Sequence, residues 1–295
     1  MLCSEGRTAK HCPLCETKAE QNVIVYNTYS MNRCTACSFL FTARRDFPLS
    51  QYETIYASDG AYVAMLEAAE RTAAGTDGFH SLWWFKKLAL RRLSKVSKPG
   101  RLLDVGCGPG TFLIVAQQRG WEVVGVEPAT FAATKAQEFG LDVYNGLMQD
   151  FVRDLDDQFD ALTCFEVLEH VPDPLALLQA FCASLRPGGN LILSVPNLDD
   201  PYCLKQQITS AMPPVHINFF NRKSLGHALE QSGFDLVRYT SLPIPTSSVR
   251  NCYGKSGFVL RVPLLVGMSL LGRADGTTLV AEARRSRSAS WETRL

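Results

Sequence analysis

From residue 101 onward the chain alternates between short aliphatic runs and amphipathic stretches of helix length. RLLDV (101–105), EVVGVE (122–127), LDVYN (141–145), FDALTCF (159–165) and NLILSVP (190–196) are short and apolar enough to read as buried strands. Between them, TFLIVAQQRG (111–120), FAATKAQEFG (131–140) and DPLALLQAFCASL (173–185) carry helical periodicity. The first two close on a glycine, and RPGG (186–189) reads as the turn after the third. KSLGHALEQSGF (223–234) is a further helix with a glycine stop, and FDLVRYTS (234–241) and TTLVAEARR (277–285) read as final strands. Strands alternating with helices at this spacing predict an α/β fold: a doubly wound, mostly parallel seven-stranded sheet with helices on both faces.

Ahead of residue 99 the rhythm differs. Residues 11–48 pack HCPLC, the alternating stretch NVIVYNTYSM, CTAC and SFLF into one small unit. Residues 49–98 are amphipathic and helical in pattern, with Tyr52, Tyr56, Tyr62, Trp83, Trp84 and Phe85, and Pro99-Gly100 ends the run. The expected organisation is a module over 1–48, a helical linker or cap over 49–98, the α/β domain over 99–285 with an insertion at 242–276, and a polar tail over 286–295.

Composition changes this picture little. The chain of 295 residues is 46% hydrophobic and 20% charged with a formal net charge of +1, which gives no electrostatic pull towards nucleic acid or an anionic membrane. Its most apolar stretch, residues 257–272, is too short to span a bilayer comfortably and is broken by Arg261 and Pro263. The opening MLCSEGRTAKHC has no apolar run after its charges, so no secretory signal is expected and a cytoplasmic location is the default.

The stretch LLDVGCGPGTF (102–112) places Gly106, Gly108 and Gly110 directly after a strand and before a helix. That is the architecture that holds a nucleotide at the carboxyl end of the first strand of a Rossmann-like sheet. The dinucleotide fingerprint fails at its third glycine, where Thr111 stands. Glu127 closes the second strand about twenty residues on, where a carboxylate accepts hydrogen bonds from an unphosphorylated ribose. A solvent-exposed glutamate beside a structural turn is the competing explanation.

With LLDVGCGPG (102–110), VVGVEP (123–128), FEVLEHVPDP (165–174) and LRPGGNLILSVPN (185–197), the sequence resembles the class I S-adenosylmethionine-dependent methyltransferases, near the ubiquinone-type O-methyltransferases. The resemblance covers about residues 99–240. It implies that Asp104 and the loop Gly106–Gly110, with Gly108 at its centre, hold the methionine part of S-adenosylmethionine. It implies further that Glu127 binds the ribose, that Gly146 and Leu147 lie by the adenine, and that Phe165 touches the cofactor through its backbone.

Ten cysteines are present, and four form two tight pairs, Cys12-x2-Cys15 and Cys34-x2-Cys37. Two C-x2-C knuckles at this separation match a four-thiolate zinc site, and four protein ligands leave no open position, so the expected zinc is structural. The module resembles the zinc knob that begins many methyltransferases of polysaccharide and natural-product clusters. Certain ribosomal RNA methyltransferases also begin with a cysteine-rich zinc module; that alternative implies a basic face, which the near-neutral charge does not suggest.

Of the five histidines, His170 and His216 fall where an acceptor would enter. His170, in FEVLEHV, follows the fourth strand and serves either as a proton acceptor or, with Glu169, to order its loop. His216, in PPVHINFF, lies in the segment that lids the acceptor pocket in the resembled family, and is the preferred base. His227 is expected on a helix surface. The reading is a methyltransferase acting on a small molecule, at oxygen, in natural-product or sugar chemistry; the alternatives are an RNA methyltransferase and a non-catalytic cofactor-binding or assembly subunit.

Overall fold

Two sheets share one interior. The computed structural model describes residues 10–27, 29–43, 60–76, 78–96, 98–155, 158–199, 212–241 and 276–287. The N-terminal strands β1 (Ala19–Tyr26), β2 (Tyr29–Cys34) and β3 (Leu40–Thr42) form an antiparallel meander. The main sheet contains β4 (Arg101–Val105), β5 (Glu122–Glu127), β6 (Asp142–Asn145), β7 (Phe159–Phe165) and β8 (Leu185–Pro196). After the two-residue strand β9 (Asn218–Phe219), β10 (Phe234–Ser241) and β11 (Thr278–Arg285) complete it. Its order is β10-β11-β8-β7-β4-β5-β6, parallel from β8 to β6 and antiparallel at β11 and β10. The seven-stranded, doubly wound sheet is the one the sequence pattern predicts.

The period of two along each strand separates two cores. Leu102, Val123, Val143, Ala161, Ile192 and Val280 face one side, under helices Trp84–Val96, Thr111–Gln117 and Thr130–Glu138. Leu103, Val124, Leu162, Leu191, Leu193, Leu279 and Ala281 face the other, under helices Pro174–Ser184 and Arg222–Gln231. Local sequence starts these helices cleanly. Asp173 caps the first by accepting from Ala176 N, with Pro174 in the first turn, and Asn221 and Ser224 cap the second reciprocally.

Three expectations change. The RPGG segment is not a turn outside the sheet but part of β8: Phe159 pairs with Leu185 and Ala161 with Asn190, so residues 186–189 bulge opposite Asp160. Asp160 pins that bulge, accepting from Arg186 Nε at 2.7 Å and from Arg101 N at 2.8 Å. The amphipathic run before residue 99 is not continuous. Helix Gly60–Ala73 ends before Gly75 (φ 74), and Trp84–Val96 starts anew after a 3-10 turn, Gly78–Ser81. Residues 44–59, Tyr62's side chain, the insertion up to 275 and the tail from 288 lie outside the described residues.

The third change concerns the N-terminal module. Its sheet takes its fourth strand from far downstream: β3 pairs antiparallel with β9, Leu40 opposite Phe219 and Phe41 opposite Asn218. Cys12, Leu14, Cys34, Cys37, Phe39 and Phe41 belong to the same buried cluster as Phe220, Leu225 and the main-sheet residues. The rings of Phe39 and Phe220 lie 4.9 Å apart. The module is therefore built into the α/β domain, not appended to it. No helix among the described residues is long and apolar enough to cross a membrane.

Candidate active site

At the carboxyl edge of the sheet, the ends of β4, β5 and β6 form a cradle. Gly106, Gly108 and Gly110 all have positive φ (73°, 57° and 84°). The protein itself needs their bare backbone. A Cβ on Gly110 would stand 2.3 Å from Leu141 Cδ1, and one on Gly106 2.4 Å from Val167 Cγ2. Only Gly108 faces helix Gly60–Ala73, where its Cβ would meet Met65 Cε at 3.2 Å. What approaches this loop closely is first of all the neighbouring chain, and the left-handed conformation adds a second demand for glycine.

Glu127 ends β5 and is 1% exposed, so the exposed-glutamate explanation does not hold. Its Oε2 accepts from Gly108 N at 2.8 Å and its Oε1 from Ala129 N at 2.9 Å, fastening the glycine loop to the next strand. Each oxygen keeps a second lone pair for a ligand hydroxyl. Burial, reinforced by Asp104, pushes its carboxyl up to about 7, against the pull of those two N–H groups and of Lys86. Asp104, also 1% exposed, accepts from Thr163 Oγ1 at 2.7 Å through Oδ1, while Oδ2 has no partner. Burial raises Asp104 to about 6.

Gly146 and Leu147 follow β6, half-buried; Gly146 N donates to Glu127 O at 3.1 Å and so holds the third loop beside the second strand. Phe165 ends β7. Its ring lies among Phe112 (5.1 Å) and Phe85 (5.6 Å), which leaves its backbone at the strand end. Lys86 Nζ lies 5.5 Å from the centre of the Phe165 ring, and its charge pulls down Asp104, Glu127 and Glu166 alike. The unpartnered buried oxygen of Asp104 suits a cationic group, and Lys86 suits an anionic one. Sequence reasoning missed Lys86, which sits in no motif, and Thr163, whose signal was legible: a hydroxyl at an inward position of an apolar strand.

Beyond β7 a second cluster forms. Glu169 is 1% exposed and neither carboxylate oxygen has a hydrogen-bond partner. His170 Nε2 lies 3.7 Å from Glu169 Oε1, and His170 Nδ1 is 2.8 Å from Val215 O. A carbonyl only accepts, so Nδ1 carries the proton and Nε2 of the neutral ring offers its lone pair towards Glu169. His216 meets His170 edge to face, ring centres 4.7 Å apart, and its Nδ1 is buried without a partner. Burial lowers both imidazoles, His216 further because His170 adds to it, and burial raises Glu169 well above the carboxylate range. Donor atoms of the three residues lie within 4.8 Å of one another, so the cluster has room for one shared proton or one divalent cation.

The four N-terminal cysteines converge. Cys12 and Cys37 sulfurs are 3.6 Å apart, Cys15 and Cys34 3.5 Å, Cys15 and Cys37 3.8 Å. A tetrahedral zinc with Zn–S of about 2.3 Å needs sulfurs roughly 3.8 Å apart, and these fit. Leu14 N donates to Cys12 Sγ and Cys37 N to Cys34 Sγ, each at 3.4 Å. Cys37 is lowered to about 5 by the Cys12 thiol that bonds to it, and Cys12 is raised in return. His227, expected on the surface, is half-buried. It lines a groove of about 650 Å³ between Cys15 and Cys37 on one side and Lys223 and Glu230 on the other.

Comparison with known proteins bears on the family and the fold. The sequence profile of the methyltransferase domain family matches residues 84–239. A ubiquinone biosynthesis O-methyltransferase of Aeromonas salmonicida is 38% identical over 103 residues, 33% of this chain and 43% of the relative. The same enzyme of Xanthomonas campestris is 38% identical over 111 residues, 35% of this chain and 46% of the relative. The chain thus spans less than half the length of these relatives. Among solved structures, a SAM-dependent methyltransferase from Archaeoglobus fulgidus shares the fold with a TM-score of 0.52 at 20% identity, covering 68% of this chain and 94% of its own.

Proposed function

The chain belongs to the methyltransferase domain family, and we propose that it is an S-adenosylmethionine-dependent methyltransferase that methylates a small molecule at oxygen, with His216 accepting the proton. When bound, the cofactor would supply a methyl group on a sulfonium, whose sulfur would leave as a neutral thioether when the methyl passes to the acceptor oxygen. Asp104, the glycine loop, Glu127, Gly146, Leu147 and the Phe165 backbone hold that cofactor. Lys86 stands ready for its carboxylate and Asp104 Oδ2 for its cationic end. The observation that carries the choice of oxygen is the pair of half-buried imidazoles in edge-to-face contact, both lowered from their ordinary range. A hydroxyl acceptor must lose its proton, and an imidazole held neutral is free to take it. His170, whose Nδ1 is committed to Val215 O, orients the pair. The net charge of +1 favours a small acceptor over RNA. The four thiolates hold a structural zinc, which takes no part in the transfer.

An acceptor screen with labelled S-adenosylmethionine identifies the substrate. On that acceptor His216→Ala lowers turnover roughly 100- to 10,000-fold with cofactor affinity nearly unchanged. Near-normal turnover overturns the assignment. The two unpartnered oxygens of Glu169 favour a second reading, in which a divalent cation between Glu169, His170 and His216 polarises the acceptor oxygen. Turnover lost on dialysis against chelator and restored by Mg²⁺, Mn²⁺ or Zn²⁺, with the cysteine-bound metal retained throughout, selects that reading over the free base.

A further inference from the structure

We infer that Asn218 and strand β3 are positioning elements of the acceptor site: the cysteine module, through β3, sets where His216 stands against His170. This rests on the reading of that histidine pair as the acceptor site and goes beyond it by assigning the module a role in catalysis.

The linkage can be followed bond by bond. Cys34 N donates to Phe39 O at 2.8 Å, so the shape of the second cysteine knuckle sets the start of β3. Strand β3 then pairs with β9, and Thr42 N donates to Ile217 O at 2.9 Å, one residue from His216. From the opposite side, Ile217 N and Asn218 N both donate to Glu169 O, at 2.8 and 3.1 Å. Asn218, 1% exposed, spans the loop that carries His170: its Nδ2 donates to Leu168 O at 2.8 Å and to Val171 O at 2.7 Å. Residues 217 and 218 are thus clamped between the module and the His170 loop, and His216 emerges at the edge of the clamp. The cradle hangs on other bonds, Glu127 to Gly108 and Ala129 and Thr163 to Asp104. A displaced β3 therefore misplaces the imidazole and leaves the cofactor's partners in register. A misplacement of about 1 Å can cost on the order of 100-fold in rate.

The test uses the full chain. Asn218→Ala removes the two side-chain bonds and leaves the thiolates, the histidines and the cradle intact. Turnover on the identified acceptor should fall roughly 10- to 100-fold, with S-adenosylmethionine affinity by calorimetry within about twofold of the parent. The imidazole nitrogen signals of His170 and His216 in long-range ¹H–¹⁵N spectra should move, and the acid limb of the pH–rate profile should shift upward as the rings gain solvent. Stripping the cysteine-bound metal with chelator should reproduce the split: imidazole signals altered, cofactor affinity kept. Imidazole signals unmoved in Asn218→Ala, or cofactor affinity falling in parallel with turnover, overturns the inference. Should stripping unfold the chain, Asn218→Ala alone decides. Full turnover in His216→Ala together with moved imidazole signals in Asn218→Ala would discard the base while keeping the positional link.

Discussion

The cradle draws most of its bonds from one stretch of chain, residues 104–147, where strand ends are joined to the loops beside them, and takes one more from Thr163 on the neighbouring β7. The acceptor-side cluster draws its bonds from residues 40–42, 168–171 and 215–220, brought together by two sheets. In the cradle, polar groups are largely paired: Glu127 with two N–H groups, Asp104 with Thr163. In the acceptor cluster, both oxygens of Glu169 and Nδ1 of His216 are buried without a hydrogen-bond partner. The difference teaches where each region's function lies. A site that presents one fixed shape to a cofactor can satisfy itself almost completely. A site that must take up a proton or a cation keeps unsatisfied groups, at a cost in stability that the surrounding clamp has to bear.

The sharpest way to break this comparison is at Gly110. A valine there meets Leu141 and Ala136 and must adopt φ near 84°. Overpacking and left-handed strain together cost on the order of 2–6 kcal/mol. Gly110→Val should abolish cofactor binding in calorimetry and lower the melting temperature, whereas Asn218→Ala spares the binding. A variant that binds cofactor normally would show that the loop tolerates far more than its geometry implies.

Next in size is the cysteine shell. Elemental analysis of protein purified without chelator should give one zinc per chain, bound by Cys12, Cys15, Cys34 and Cys37. Cys34→Ser should lose it and lower the melting temperature by roughly 5–15 °C, taking about 2–4 °C per kcal/mol. A closed thiolate shell offers no open position to a substrate, so the metal can reach turnover only through β3. At temperatures where Cys34→Ser remains folded, turnover should fall more than cofactor affinity.

The smallest effect separates stability from binding within the cradle itself. The Asp104 carboxyl is raised in the folded state, from 3.8 to about 6. The folded state therefore holds this proton more tightly than the unfolded chain does. Its contribution to stability is present below pH 3.8 and is lost as pH rises through about 6. Asp104→Asn lacks that titration. Chemical denaturation of the cofactor-free protein should show the variant gaining on the parent as pH rises from 3.8 through about 6, while its affinity for S-adenosylmethionine drops roughly 10- to 100-fold. Equal pH slopes in parent and variant would remove Asp104 as a source of stored strain.

Much of the molecule was legible in its sequence, because much of it is local. Aliphatic runs of strand length and glycine stops act within a few residues of where they stand, so element order and sheet type followed from them. The glycine loop and the four cysteines were legible for the same reason: a left-handed turn and a thiolate knuckle are short-range geometries. What the RPGG segment does was not, since a bulge is defined by the partner strand and by Asp160 across from it. Nor was the fourth strand of the N-terminal sheet. Nothing in INFF marks it as the partner of LFT, because pairing between segments so distant in sequence is chosen by the shared core of Phe39, Phe41 and Phe220. Lys86 gave no local signal, as its role is the field it casts on carboxylates from other elements. The sequence by itself determined which pieces exist and what chemistry each residue can offer. Only the tertiary structure decided which offers meet, because burial, which lowers His170 and His216 and raises Glu169, is a property of the packed whole.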